Sequence, residues 1–199
     1  MSMDEARRYA RQSGLMDFLD DTLAGALRAF HYSRGDLIIR SGDTVDAVLF
    51  VVAGRAKAYS TLDNGQSVLA AFYKPLDIIG EAELFSSAIY SLSVEAMGKA
   101  VCLRLGKDAI LENAHRDHRL LAYICGRLGA KLNDRFRADS INLRYRVESR
   151  FAMYLLSSAE EGVCKDALVD IADFIGCSYR QLSRVLRDFR ASGIVTGGR

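Results

Sequence analysis

One proline in 199 residues, four cysteines without a C-x-x-C pair and no long apolar run set the first limits on this chain. Uncharged apolar stretches such as Ala47 to Ala53 are far shorter than the roughly 20 residues that a bilayer-spanning helix needs. Met1 to Gln12 carries five charged side chains and is unlike a signal peptide. Cys102, Cys125, Cys164 and Cys177 are scattered, so they read as reduced thiols of a cytoplasmic protein and not as a disulfide framework. No Ser/His/acid set, metal motif or phosphate-loop lysine marks an enzyme, and His31 stands alone in a β-rich stretch. The net charge of +2 says little as a total; its distribution matters more. Half of the residues are apolar, as in a chain that buries a core, and the length fits one large domain or two small ones.

What is present falls into three textures. Leu15, Phe18, Leu19, Leu23 and Leu27 recur at helical spacing within residues 4–29 and predict short helices. From Phe30 to Leu105, short β-rich runs alternate with turn signals at Arg34-Gly35-Asp36, Ser41-Gly42-Asp43, Ala53-Gly54, Asp63-Asn64-Gly65 and Pro75, the pattern of a sandwich or barrel. Asn64-Gly65 is the sharpest hairpin signal, since both residues tolerate the positive φ of a type I′ turn. From Lys107 to about Arg137 the sequence turns helical, with Leu111, Ala114, His118, Leu121, Ile124, Leu128 and Leu132 forming one seam. A helix of about 30 residues extends about 45 Å, more than a small barrel covers. The seam, Leu121, Ile124, Leu128 and Leu132 above all, is therefore expected to pack against a second copy. The alternative is a helix lying along its own barrel. The resulting division is an effector barrel over 1–106, a dimerisation helix over 107–138 and a DNA-binding domain over 139–199.

The strongest motif is LVDIADFIGCSYRQLSRVLRDF, Leu168 to Phe189. It predicts helices over Leu168–Phe174 and Tyr179–Phe189, with Gly176 supplying the open backbone of the turn between them. Ile171, Ala172, Ile175, Cys177, Leu182 and Val185 are the inward positions of such a corner, and Ser178 stands where the second helix needs an N-cap. The outward face carries Arg180, Arg184, Arg187 and Arg190 against one acid, Asp188. Arginine pairs bidentately with guanine O6 and N7, and the second helix of such a unit enters the major groove by its N-terminal end. Arg180, Ser183 and Arg184 are accordingly expected to read bases. Tyr179 is assigned to backbone or a thymine methyl, and Gln181 and Arg187 are added to the DNA-facing set.

Residues 78–97, IIGEAELFSSAIYSLSVEAM, pose a different problem. Gly80, Glu81 and Ala82 ahead of a short apolar run, with Tyr90, Ser91 and Leu92 beyond it, look like a loop that cradles a phosphate. Yet Lys57 and Lys74 are the only cations between Arg55 and Lys99.

In this order the parts resemble the CRP/FNR superfamily of bacterial transcription regulators. The resemblance rests on Gly35-Asp36, Gly42-Asp43, Val51 with Gly54, Lys57, Tyr59, Gly80-Glu81, Ile175-Gly176-Cys177-Ser178 and Leu182-Ser183-Arg184. AGRAKAYSTLDNG and GCSYRQL also look like its YeiL-like branch. The resemblance implies an α+β chain: a cyclic-nucleotide-binding-type β-barrel or jelly roll, a long dimerisation helix and a winged-helix-type helix-turn-helix. Ile194-Val195-Thr196 reads as the first strand of a wing, after which the sequence stops, so the wing is expected to be truncated. The implied partners are double-stranded DNA with near-palindromic sites, a second copy of the chain and RNA polymerase, with no membrane.

Departures from the family pattern bear on the effector. Where cyclic-AMP-binding members carry an Arg-Ser pair on the phosphate, this chain places Tyr90 and Ser91. Where their long helix offers Thr-Ser to adenine, it places Arg135 and Phe136. A buried phosphate without a paired cation is costly, so cyclic AMP is not expected here. The superfamily's N-terminal cysteine cluster for iron–sulfur is absent, since residues 1–101 contain no cysteine. Cys102 and Cys125 read as small buried hydrophobes and Cys164 as the most exposed thiol, the candidate for redox sensing. His115 and His118, one helical turn apart, read as solvated; neither haem nor metal is supported, and the cofactor stays unassigned. The competing reading is a ligand- or redox-sensing scaffold whose helix-turn-helix no longer binds DNA.

Overall fold

The computed structural model describes residues 3–61, 67–86, 88–159 and 162–197, in backbone only at 3 and 137–144. The chain is α+β and divides into two compact units, Met1–Leu132 and Asn133–Arg199.

The first unit opens with helix α1 (Met3–Gln12), a 3-10 turn (Leu15–Phe18) and helix α2 (Asp21–Ala26), the short helices expected. Ala6 and Ala10, one turn apart on α1, are fully buried, and their small side chains let the helix lie close on the core. The Asp20 carboxylate caps α2, accepting from the Leu23 amide at 2.8 Å. Among the described residues eight strands follow: β1 (Arg28–Tyr32), β2 (Leu37–Ile39), β3 (Ala47–Ala53), β4 (Ala56–Thr61), β5 (Ser67–Tyr73), β6 (Ile78–Ile79), β7 (Ser93–Ala96) and β8 (Ala100–Gly106). They form two antiparallel sheets, ordered β1-β8-β3-β6 and β2-β7-β4-β5.

The charge-free run Ala47 to Ala53 now has its reason. Alternate β3 residues point into two different cores. Val48 and Phe50, with Leu103 and Leu105 of β8, pack beneath the helices. Leu49 and Val51, with Cys102, pack between the sheets. A strand covered on both faces needs apolar residues throughout. Gly54 leaves β3 at φ +77°, and a Cβ there would lie 2.1 Å from the Lys99 carbonyl oxygen, so only glycine fits that approach. Asp63-Asn64-Gly65, the expected hairpin tip between β4 and β5, lies outside the described residues.

The helix expected without interruption from Lys107 is two helices. After the four-residue helix α3 (Glu83–Ser86), α4 spans Lys107–Ala114 and α5 spans Arg119–Arg144. Asn113 is buried and donates to Asp20 at 2.6 Å, and its carbonyl accepts from the amides of Arg116 and Asp117, closing α4 into a turn. Asp117 then accepts from the Arg119 amide at 2.9 Å at the start of α5. His115 and His118 flank this break and are exposed, so they do not share one helical turn as the spacing suggested.

In the second unit, α6 (Val147–Ser158), α7 (Leu168–Phe174) and α8 (Tyr179–Ala191) enclose a small core of Phe151, Tyr154, Ile171, Ala172, Ile175, Leu182 and Val185. Phe151 stacks on Phe189 at 5.5 Å between ring centroids, and Tyr154 meets Phe174 edge-on at 5.4 Å. No strand forms at Ile194–Thr196, contrary to the wing expected there. α8 closes in a Schellman motif: Gly193, at φ +70°, donates to the Arg190 carbonyl at 3.1 Å, and the Ile194 amide donates to the Phe189 carbonyl at 2.9 Å, and among the described residues no strand lies beside 194–196 to pair with it.

Candidate functional site

The corner between α7 and α8 takes the shape its sequence asked for. Gly176, at φ +67°, ends α7 in the same motif: its amide donates to Asp173 and the Cys177 amide to Ala172. Ser178 starts α8 with a capping box, its hydroxyl accepting from the Gln181 amide at 3.2 Å while the Gln181 side chain accepts from the Ser178 amide at 3.1 Å. Arg150 of α6, which sequence reasoning passed over, donates to the carbonyls of Ile175 and Gly176 and so ties the turn to its supporting helix. Only contact across the unit reveals that role.

Two members of the expected DNA-facing set, Gln181 for the phosphates and Ser183 for the bases, are otherwise engaged. Gln181 is held in the capping box. Ser183 is half-buried, and its hydroxyl is enclosed without a hydrogen-bond partner, so it faces the core side of α8. The outward set is Tyr179, Arg180, Arg184 and Arg187, all exposed. Arg180 and Arg184 stand one turn apart, where helical geometry places side chains on one face. The contact of Arg187 with Asp188, at 3.9 Å between well-exposed side chains, is weak.

The cradle at Gly80-Glu81 is closed by the chain's own groups. Gly80 sits at φ +87°, and a Cβ there would lie 2.8 Å from Cε1 of Tyr90. Tyr90, at the position where the family pattern has arginine, is buried and donates to the Ala47 carbonyl at 2.7 Å. Burial raises its pKa, so it stays a neutral phenol. Ser91 gives both of its donors to Glu83: Oγ to Oε1 at 2.5 Å, and the amide to the same oxygen at 3.3 Å. A carboxylate thus sits on the one surviving phosphate donor. The Ser86 hydroxyl donates to the carbonyl of Ala82 at 2.5 Å, and Leu92 packs on the core between the sheets. Burial first, then the charges of Glu81, Glu83 and Asp77, push the Tyr73 phenol far up, so it stays neutral.

A cation does reach the loop, from a residue of α5 that sequence reasoning passed over. Arg135 and Phe136 fall in the second unit and are exposed, Phe136 at 60%. Lys131 is the residue that reaches the loop. It pairs with Glu81, which is 3% exposed, donates to the Ile78 carbonyl at 2.5 Å and lies 4.6 Å from the centroid of the Tyr73 ring.

The apolar seam of α5 is divided. Ile124, fully buried, and Leu120 pack beneath the barrel's own helices, with Leu121 and Leu128 partly buried beside them. Leu132 is 56% exposed. Ile124 therefore belongs to the fold and has no surface to offer a partner. On the opposite side of the helix, Ala122, Cys125, Gly126 and Gly129 are exposed. Cys125 is the exposed thiol and Cys164 is half-covered beside Asp166, reversing the sequence reading. Cys102 is buried as expected, its thiol pushed up to about 12 by burial. Among the described residues no cluster of side chains suits a metal ion, and no helix is long and apolar enough to cross a membrane.

Comparison with known proteins shows what the chain is similar to. Residues 29–117 match the cyclic nucleotide-binding domain family. The regulatory protein YeiL of Escherichia coli O157:H7 is 29% identical over 178 residues, spanning 89% of this chain and 81% of its own. The transcriptional activator protein Anr of Pseudomonas aeruginosa is 19% identical over 191 residues, spanning 91% of this chain and 77% of its own. The solved structure of FixK2 from Bradyrhizobium japonicum superposes with a TM-score of 0.75 at 23% identity, covering 87% of this chain and 90% of that one.

Proposed function

We propose that the chain is a member of the CRP/FNR superfamily of transcription regulators, which its similarity to YeiL and Anr supports, and that it acts as a homodimeric, sequence-specific DNA-binding regulator whose barrel does not take cyclic AMP. It is a regulator, as its named relatives are, and not an enzyme. The division of labour we assign is a sensor over 1–106, a dimerisation segment over 107–138 and a DNA-binding domain over 139–199.

The observation that carries the DNA-binding reading is the capped α8 with Tyr179, Arg180, Arg184 and Arg187 turned outward on a Gly176 corner. A two-fold dimer would set two such helices about 34 Å apart, one turn of the duplex, and so read a near-palindrome. RNA polymerase is the further partner in this reading. The second copy would use the side of α5 that the barrel leaves open. Ala122, Gly126 and Gly129 let two helix backbones come close, with Leu132 at the edge.

Against cyclic AMP stands the closed cradle: Tyr90 beneath Gly80, and Glu83 on Ser91. Selection of binding sites from random duplexes tests the reading. Recovered sites with two inverted half-sites about one helical turn apart, bound equally well with and without cyclic AMP, are the expected outcome. Sites without symmetry, or binding that requires the nucleotide, would overturn it.

A further inference from the structure

The ring of groups around the Lys131 amino group is the chemistry of an ammonium site. One carboxylate (Glu81), one main-chain carbonyl (Ile78, at 2.5 Å) and one aromatic face (Tyr73, at 4.6 Å) surround it. Carboxylate and carbonyl accept hydrogen bonds from an ammonium, and the aromatic face attracts its charge. None of the three favours an anion. Asp77 and Glu83 stand nearby, Asp77 paired with Arg127 and Glu83 accepting from Ser91.

Lys131 is also the last of a ladder. At four-residue steps along α5, Tyr123 donates to the Leu76 carbonyl at 3.1 Å, Arg127 pairs with Asp77, and Lys131 pairs with Glu81 and Ile78. One face of the helix therefore grips residues 76–81, the segment that leads into the cradle. Leu76 is held there at φ +77°, a conformation rare for a leucine, with its amide donating to Val51 at 2.8 Å.

We propose that the former nucleotide cradle is an ammonium-binding site whose occupant is the chain's own Lys131, which latches α5 to the barrel without a soluble effector. The inference concerns the barrel and α5 alone, so it survives or fails independently of DNA binding.

Chemical rescue tests it in the full chain. Lys131→Ala leaves the Cβ and vacates a space that n-propylammonium matches atom for atom, from Cγ to Nζ. The thermal midpoint of K131A is expected to fall, then rise saturably with n-propylammonium beyond the effect of equimolar sodium chloride. Wild type and the double variant Lys131→Ala/Glu81→Gln should show no such rise. A second measurement holds whether or not K131A folds: acetylation of wild type with a limiting amine-reactive ester, read by mass spectrometry. Lys131 is expected to label much more slowly than exposed Lys74 and Lys99, and Glu81→Gln to abolish the protection. Absence of amine-specific rescue in a folded K131A, rescue that persists in the double variant, or labelling of wild-type Lys131 at the rate of Lys74 would each overturn the proposal.

Discussion

Single residues decide both ends of this chain. At the DNA-facing end, Arg184→Ala is expected to weaken specific binding by about 1–3 kcal/mol and to relax selectivity at one position of each half-site, measured by anisotropy on matched and mismatched duplexes. In the barrel, Cys102 ties stability to alkaline pH. Its folded pKa is raised to about 12, above the ordinary thiol value of 9.0, so the unfolded chain loses this proton first. Its contribution is complete below pH 9 and falls as pH rises towards 12, by about 1.4 kcal/mol per pH unit for one fully buried thiol. Denaturation at stepped alkaline pH should show a shallower decline for Cys102→Ala than for wild type. Some residue roles were legible beforehand. Ser178 had an N-cap's place before an apolar-periodic run, and Gly54 and Gly176 had the turn's demand for open backbone. Lys131 was not legible, because its pairing with Glu81 joins residues 50 apart and depends on how α5 lies along the barrel. Arg135, one turn on, carries the same charge but aligns with the adenine contacts and not with the loop.

At the scale of elements, the strands and the helical corner could be read because burial imposes their spacing. Alternation along β3 and the inward set of α7 and α8 follow from which side meets a core. Periodicity misleads where it passes through a break. Leu111, Ala114, His118 and Leu121 keep three- and four-residue steps, although Asn113 ends α4 and Asp117 starts α5 between them. Nor does an apolar seam say which partner it meets: Ile124 and Leu128 pack on the chain's own core, and the small residues behind them are left facing solvent. This gives a prediction with opposed signs. Gly129 has nothing within 4 Å of a Cβ, so Gly129→Glu should fold and gain a few tenths to about 1 kcal/mol of helix stability. The same change should drive the molecule towards monomer in analytical ultracentrifugation, because a charged side chain would occupy the close helix approach. Ser178→Ala acts on the other element. Loss of the capping box is expected to cost about 1 kcal/mol in denaturant unfolding, with a matching loss of DNA affinity.

For the whole molecule, the proposed function requires a symmetric pair of arginine-bearing helices and a barrel whose cradle is occupied by the chain's own lysine. The three arginines of the proposed DNA-facing set, Arg180, Arg184 and Arg187, amount to about six phosphate or base contacts in a dimer, for which log affinity should fall with log salt at a slope of about −5. Stoichiometric titration of the full chain against duplexes carrying its selected site, repeated across salt concentrations with and without cyclic AMP, tests this most directly. The expected result is two chains per duplex, a steep salt slope and superimposable curves in the presence and absence of the nucleotide. A chain that stays monomeric and leaves DNA unbound even at low salt would contradict the account.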